Sequence, residues 1–143
     1  MKSWFYRFTT DDNNVPHKLP LPLKIMQITD SDRATIRSVV EQQLQAFQKD
    51  DAAGAFAFAS PGIQQQFRTA ENFMQMVKIA YQAVYRPRSV LFENLATVEG
   101  IPAQSVLLFD SERIPIRAIY VMEKQLDNSW RINGCYLASL TEE

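Results

Sequence analysis

The chain changes its hydrophobic period once, at Pro87, and this change limits the folds open to it. After Pro87, apolar and polar residues alternate as in half-buried strands, in runs separated by short turns. The predicted strands cover residues 90–98, 104–110, 116–125 and 130–138. Because short turns join consecutive strands, we expect antiparallel pairing in a curved sheet of four or more strands. Helical segments come before the sheet, so this order predicts an α+β domain.

Apolar residues before Pro87 recur at spacings of three and four, which predicts helices. The predicted helices cover residues 32–49, 52–59 and 63–67, followed by a longer helix capped by Thr69. Residues 55–59 also alternate like a strand, but the capped, alanine-rich run favours a helix. Met76 and Ile79 widen the apolar surface of the helix after Thr69, so we expect that helix to be largely buried.

Residues 1–28 differ from the rest and are predicted to be a flexible or surface-draped extension of one domain, residues 29–143. Pro16, Pro20 and Pro22 interrupt any helix in this segment. Its aromatic residues can instead dock on a partner, since aromatic side chains supply much of the energy of interfaces. They are Trp4, Phe5, Tyr6 and Phe8.

Charge and composition exclude some classes of function. The 143 residues have a net charge of −1, which gives no overall field to attract nucleic acid or an anionic membrane. No apolar run approaches the roughly 20 residues of a membrane-spanning helix. Cys135 is the single cysteine, which excludes an internal disulfide and suits a reducing compartment. We therefore expect a soluble, cytoplasmic protein.

The last predicted strand follows the turn-forming residues Asp127, Asn128 and Ser129. Strict alternation places three side chains on each face of this strand. One face is predicted to carry Trp130, Ile132 and Tyr136, and the other Arg131, Asn133 and Cys135.

The order of helices, meander and a final Trp130-Arg131-Ile132 resembles the nuclear transport factor two-like superfamily. Shorter motifs resemble a family within it, the DUF4864 domain of unknown function: Leu44-Gln45-Ala46-Phe47, Asp50-Asp51, the stretch 55–61, Phe73-Met74 with Val77, Tyr81 with Tyr85-Arg86-Pro87, and residues 130–135. The resemblance implies a cone-shaped sheet wrapped round the first helix, with a pocket at its open end. It implies no particular activity, because the superfamily includes isomerases, cyclases, scaffolds and binding modules.

Residues of catalytic type are few. His17 lies in the proline-rich extension, and Cys135 is expected to be a buried, inert thiol. One histidine and one cysteine cannot build a typical transition-metal site, and the four isolated glycines form no phosphate loop, so we expect no metal or cofactor. Arg86-Pro87-Arg88 can grip a phosphate or a carboxylate, although a solvated strand entrance is the more common structure.

Aromatic and amide residues form the more interesting group. They can line a mostly apolar cavity that bears a few polar groups, or they can simply pack in the core. The predicted ligand-binding residues are Tyr81, Tyr85, Gln104, Tyr120, Trp130, Asn133 and Tyr136.

These observations favour a non-enzymatic binding module, which uses the cone for an apolar or amphipathic small molecule or its surface for a protein. One alternative is an isomerase- or cyclase-like enzyme with Glu93, Asp110 or Glu123 as general base. Another is a structural subunit with a filled cone. Residues 106–109 and 118–122 are apolar on both faces, which suggests a homodimer through the outer face of the sheet. As an alternative to a dimer, the aromatic N-terminal extension can fold back and cover that face.

Overall fold

The computed structural model describes residues 2–3 and 27–140. Within them the predicted α+β architecture is confirmed: after the two-residue strand β1 come the helices and then the other four strands of an antiparallel sheet. The helices are α1 Asp30–Gln48, α2 Ala52–Ala57, α3 Pro61–Phe67, α4 Ala70–Ala80 and α5 Gln82–Tyr85. The strands are β1 Lys2–Ser3, β2 Ser89–Val98, β3 Ile101–Phe109, β4 Pro115–Lys124 and β5 Trp130–Ser139. Except for β1 and residues 27 and 28, the predicted extension lies outside the described residues.

Helix α1 begins with a capping box and presents one apolar stripe to the sheet. The Thr29 hydroxyl accepts from the backbone N–H of Asp32 at 2.9 Å, and the Asp32 carboxylate accepts from the N–H of Thr29 at 3.0 Å. Ile36, Val40 and Phe47 follow at helical spacing, and each is fully buried. Cap and stripe together account for the predicted helix.

Helix α4 is amphipathic, so the prediction that it is largely buried was wrong. Phe73 and Val77 are fully buried, whereas 77% of Ile79 is exposed and Met76 is only half-buried. Together with Met74, Phe73 and Val77 are the three buried residues of this 11-residue helix, and they pack it against its neighbours. Residue type alone therefore overstated the packed surface, because Ile79 points away from the packed side.

The sheet has the order β1-β5-β4-β3-β2, with antiparallel neighbours. β5 pairs on one side with β4 and on its other side with β1, near Tyr136 and Leu137. Further along that edge, Ile132 exchanges backbone hydrogen bonds of 2.8 Å with Phe58 and Ser60. The segment after α2, for which a longer helix was predicted, therefore covers the edge of β5.

The turn between β2 and β3 is tighter than predicted. The predicted strands left residues 99–103 for the connection, but β3 already begins at Ile101. Glu99 and Gly100 alone make the connection, with φ angles of 54° and 82°. Positive φ at both central residues matches the twist of the adjoining strands, which is why such turns dominate two-residue hairpins.

A β-bulge in β5 overturns the predicted faces of that strand. Val121 pairs with Gly134 and Met122 with Ile132, so Asn133 has no residue opposite it. The extra residue reverses the alternation beyond it. Cys135 therefore joins Trp130 and Ile132 on the buried face, and Tyr136 lies on the outer face.

The core lies between the helices and the inner face of the sheet. Val106, Leu108, Ala118, Tyr120 and Ile132 contribute from the strands, and each is fully buried. The outer-face side chains between them do not belong to this core. The sheet therefore has one packed face and a second, partly apolar face, as the sequence suggested.

Candidate functional site

A groove of about 640 Å3 lies at the end of the sheet where β3 finishes and β4 begins. Helices α4 and α5 form one wall, and the β3–β4 turn and the end of β5 form the other. Its lining residues are Ala80, Gln82, Ala83, Asp110, Ile114, Ile116, Leu137, Ala138 and Ser139. Six of these nine are apolar, and the volume lies within the usual range for small-molecule sites.

Local sequence explains why the helical wall leaves room. Helix α4 ends at Ala80, the backbone of its C-cap Tyr81 is not helical (φ −130°, ψ 53°), and the short α5 starts at the next residue. Beside this break Gln82 and two alanines, Ala80 and Ala83, line the groove, and alanine is the smallest of the apolar side chains. A groove therefore forms where larger residues would fill the corner.

The opposite wall is a turn held by its own hydrogen bonds. One carboxylate oxygen of Asp110, Oδ1, accepts from the backbone N–H of Glu112 at 2.8 Å and of Ile114 at 2.9 Å. This arrangement is typical of aspartate at the start of a turn. It places Ile114 at the rim of the groove, where 38% of its surface is exposed.

The polar groups of the groove are few and partly engaged. Gln82 donates from its side chain to the Lys78 carbonyl at 3.1 Å, and Asp110 already accepts from two backbone groups. The groove can therefore bind apolar surface and make a small number of hydrogen bonds. It offers little to neutralise a strongly charged ligand.

The structure does not bring the seven residues of the predicted ligand site to one cavity. Tyr81 and Tyr120 are buried in the core, and burial raises the pKa of both hydroxyls. Tyr120 is paired across the strands with Cys135, whose thiol pKa is also raised by burial. A thiol with a raised pKa is a poor nucleophile, consistent with the predicted inert cysteine.

Three more of the seven make structural hydrogen bonds. Gln104 donates to the backbone carbonyls of Glu93 at 2.8 Å and Ser105 at 3.0 Å. Trp130 donates from its indole nitrogen to Asp32 at 3.2 Å, and Asn133 accepts from the Ser60 hydroxyl at 2.7 Å. Their side-chain polar atoms therefore bind other parts of the fold.

The last two lie on the surface, at separate places. Tyr85 donates from its hydroxyl to Asp50, next to Arg86, whose guanidinium bonds Asp50 at 2.9 Å. Tyr136 lies half-buried on the outer face of β5, opposite Ile119. Ligand contact by any of the seven residues stays a prediction.

Apart from Asp110, which was considered as a general base, the groove residues were not identified from sequence, since alanines and aliphatic residues carry no chemical signal. Pro87 marked the helix-to-sheet corner, and the gap between the predicted strands 104–110 and 116–125 marked a turn, but nothing in the sequence showed that these two corners meet. The pairing of Phe109 with Pro115 at the end of the sheet sets that geometry. Position in the fold, not residue type, defines the groove.

The three carboxylates considered as general bases are in polar settings. Glu93 forms two hydrogen bonds with the Arg117 guanidinium, at 2.7 and 2.8 Å, and these hold its pKa below the ordinary value. Asp110 accepts backbone N–H groups, and Glu123 accepts from Gln125 at 3.0 Å. A general base for neutral pH needs a raised pKa, which is the opposite of the shift at Glu93.

Residues 2–3 and 27–140 hold no cluster of three or more metal-ligating side chains, and His17 lies outside them. None of the helices in the described part of the chain is long and apolar enough to cross a membrane.

Comparison with known proteins gives a family but no activity. No curated protein matches the chain significantly. The sequence model of a domain of unknown function, DUF4864, matches residues 29–143. This match starts at the N-cap of α1 and includes the helices α1 to α5, the strands β2 to β5 and both walls of the groove. The chain belongs to the DUF4864 family.

Proposed function

We propose that this protein is a non-enzymatic binding module that holds an apolar or weakly amphipathic small molecule in the groove between α4, α5 and the β3–β4 turn. The observation that carries this proposal is the mostly apolar lining of a 640 Å3 groove, with Ile114 exposed at its rim. Ligand sites of this size usually combine apolar walls with a few polar groups that fix orientation. Gln82, Asp110 and Ser139 supply such groups.

The groove is a better site than the interior of the sheet. Tyr120, Met122 and Ile132 project from the inner face, and at most 2% of each is exposed. A ligand placed among them would have to displace close-packed side chains, at a cost of several kcal/mol. We therefore place the ligand at the end of the packed core.

A nuclear transport factor two-like cone is the arrangement that we propose for the whole domain. The order of helices before an antiparallel meander and the packing of α1 against β5 support it. In such a cone the groove corresponds to the open end, because the Trp130 end of β5 is tied to the start of α1.

The groove can be tested with the neutral apolar fluorophore N-phenyl-1-naphthylamine. We expect saturable fluorescence enhancement with the wild-type chain and roughly tenfold weaker binding for Ile114→Asn, because burying such a side chain contributes about 1.5 kcal/mol or more. Leu126→Asn is the matched control, since Leu126 is a fully exposed aliphatic residue in the β4–β5 turn.

Two results would contradict the groove assignment. One is fluorescence that rises linearly without saturation, which indicates non-specific partition onto apolar surface. The other is an equal loss of fluorophore affinity in Ile114→Asn and Leu126→Asn, which would show that the fluorophore does not bind in the groove. Urea unfolding of both variants shows whether either one has lost its fold.

We further propose that the outer face of the sheet joins two copies of the chain. Leu91 and Leu107 pair across this face, and Ile119 and Val121 continue it on β4; none of the four belongs to the core. A twofold contact would bury this self-complementary face on both copies at once.

A further inference from the structure

We propose that Arg88 and Arg113 form a second binding site, for the phosphate group of a small phosphomonoester. The site is distinct from the groove: it is a separate pocket of about 320 Å3, lined by Arg88, Ser89, Phe109 and Arg113. None of these four residues lines the groove.

The topology brings the two arginines to one end of the sheet. β2 begins at Ser89, β4 begins at Pro115, and both strands pair with Phe109, the last residue of β3. Arg88 comes just before β2 and Arg113 just before β4, so they flank Phe109 from opposite sides. Residues 25 positions apart in sequence thus line one pocket.

The backbone at both arginines is fixed. The N–H of Arg88 donates to the Phe109 carbonyl at 2.7 Å. Arg113 lies within the turn stabilised by Asp110 and has a φ of 64°, a left-handed conformation that costs a non-glycine residue free energy. Its N–H donates to the Asp110 carbonyl at 2.9 Å. The turn therefore holds Arg113 in a defined place, although its side chain reaches solvent.

Arg86 and Arg88 differ in what they bind, despite their nearness in sequence. Arg86 bonds the Asp50 carboxylate at 2.9 Å and stacks on Tyr85, so its charge is already balanced. Within residues 2–3 and 27–140, neither Arg88 nor Arg113 forms an ion pair. The chain has a net charge of −1, so two uncompensated guanidiniums in one pocket do not reflect a generally basic surface.

Two arginines that line one pocket match a phosphate group in charge and in hydrogen-bonding capacity. A phosphomonoester carries about two negative charges at neutral pH, and the planar guanidinium fork bonds its oxygens in pairs. The Ser89 hydroxyl adds a further donor, and Phe109 supplies an apolar surface for the organic group of the ester. Repulsion between the two arginines falls when such an anion binds between them.

Titration of the full, 15N-labelled chain with inorganic phosphate and with phenyl phosphate, followed by amide chemical shifts at low ionic strength, tests this site. We expect saturable shifts centred on Ser89, Phe109 and Arg113, and tighter binding of phenyl phosphate because it also contacts Phe109. Arg88→Gln and Arg113→Gln should each weaken phenyl phosphate about tenfold, which is about 1.4 kcal/mol. Arg88→Lys keeps the charge but loses the fork, and should give an intermediate affinity.

Arg33→Gln is the matched control, because Arg33 is an exposed arginine on α1 outside this pocket. It removes the same charge and should leave the affinity unchanged. Equal weakening by Arg33→Gln would assign the binding to diffuse charge and overturn the proposal. Shifts that do not saturate, or that centre elsewhere, would also overturn it. The same spectra report whether each variant is folded.

Discussion

Asp32 shows how one side chain can join two elements of this fold. Its Oδ2 accepts from the Thr29 N–H at 3.0 Å and its Oδ1 accepts from the Trp130 indole at 3.2 Å, with Lys124 at 4.0 Å. The backbone hydrogen bond from Thr29 is the main cause of a lowered pKa at Asp32, and the Trp130 bond adds to it. The carboxylate thus caps α1 and fixes the start of β5 against it.

We expect Asp32→Asn to lower the free energy of unfolding at neutral pH by about 1 kcal/mol, because an amide cannot replace both acceptor oxygens. The folded state lowers this pKa, so its contribution is present above the ordinary value of 3.8 and is lost as the pH falls below it. The difference between wild type and variant should therefore shrink from pH 6 to pH 2.5. Urea unfolding at both pH values measures it.

The control for this change is Asp30→Asn, since Asp30 lies in the same first turn and is exposed. Asp30→Asn should lower the free energy of unfolding at pH 6 by less than Asp32→Asn does, because it keeps the capping box. An Asp32→Asn penalty that stays constant from pH 6 to pH 2.5 would contradict the role of the carboxylate charge.

At the scale of elements, the β5 bulge connects the sheet to the segment between α2 and α3. Ser60 caps α3 by accepting from the Ile63 N–H at 3.2 Å, and its hydroxyl donates to Asn133 at 2.7 Å. Asn133 is the unpaired residue of the bulge. The bulge therefore directs a polar side chain at a helix cap 73 residues away in sequence.

A double-mutant cycle at Ser60 and Asn133 tests this connection. We expect Ser60→Ala to cost about 1–2 kcal/mol of unfolding free energy, because it removes both the cap and the bond to Asn133. Asn133→Ala should cost about 1 kcal/mol, and the two changes together should cost less than their sum by at least about 0.5 kcal/mol.

Thr69→Ala provides the comparison, because Thr69 caps α4 through Asn72 at 3.0 Å in an exposed position. The losses of unfolding free energy caused by Thr69→Ala and Asn133→Ala should be additive. Additivity of Ser60→Ala with Asn133→Ala in chemical denaturation would show that the 2.7 Å contact contributes no stability.

The sequence predicted elements better than it predicted the details within them. Helices and strands follow from hydrophobic period and from caps such as Thr29 and Thr69, which are local properties. The bulge at Asn133 is not local, because it depends on the partner strand, and it alone reversed the faces of Cys135 and Tyr136. The groove likewise depends on how two corners meet, so its alanines gave no signal in advance.

At the scale of the whole molecule, the outer face of the sheet carries apolar side chains that do not belong to the core. Leu107, Ile119 and Val121 are half-buried on this face, and the Glu93–Arg117 ion pair lies beside them. The alternative from the sequence is that the aromatic segment of residues 4–8 covers this face, and that segment lies outside the described residues. The state of association in solution separates the two explanations.

We expect light scattering of the full chain at micromolar concentration to give twice the chain mass of 16.4 kDa. Ile119→Asp should return it to a monomer, because each dimer would bury two unpaired carboxylates at the contact, which is strongly unfavourable. Leu126→Asp, which adds the same charge at an exposed turn, should leave the dimer intact. A monodisperse monomer for the wild-type chain would refute the dimer, and dimers that form only after removal of residues 1–28 would assign the outer face to that segment.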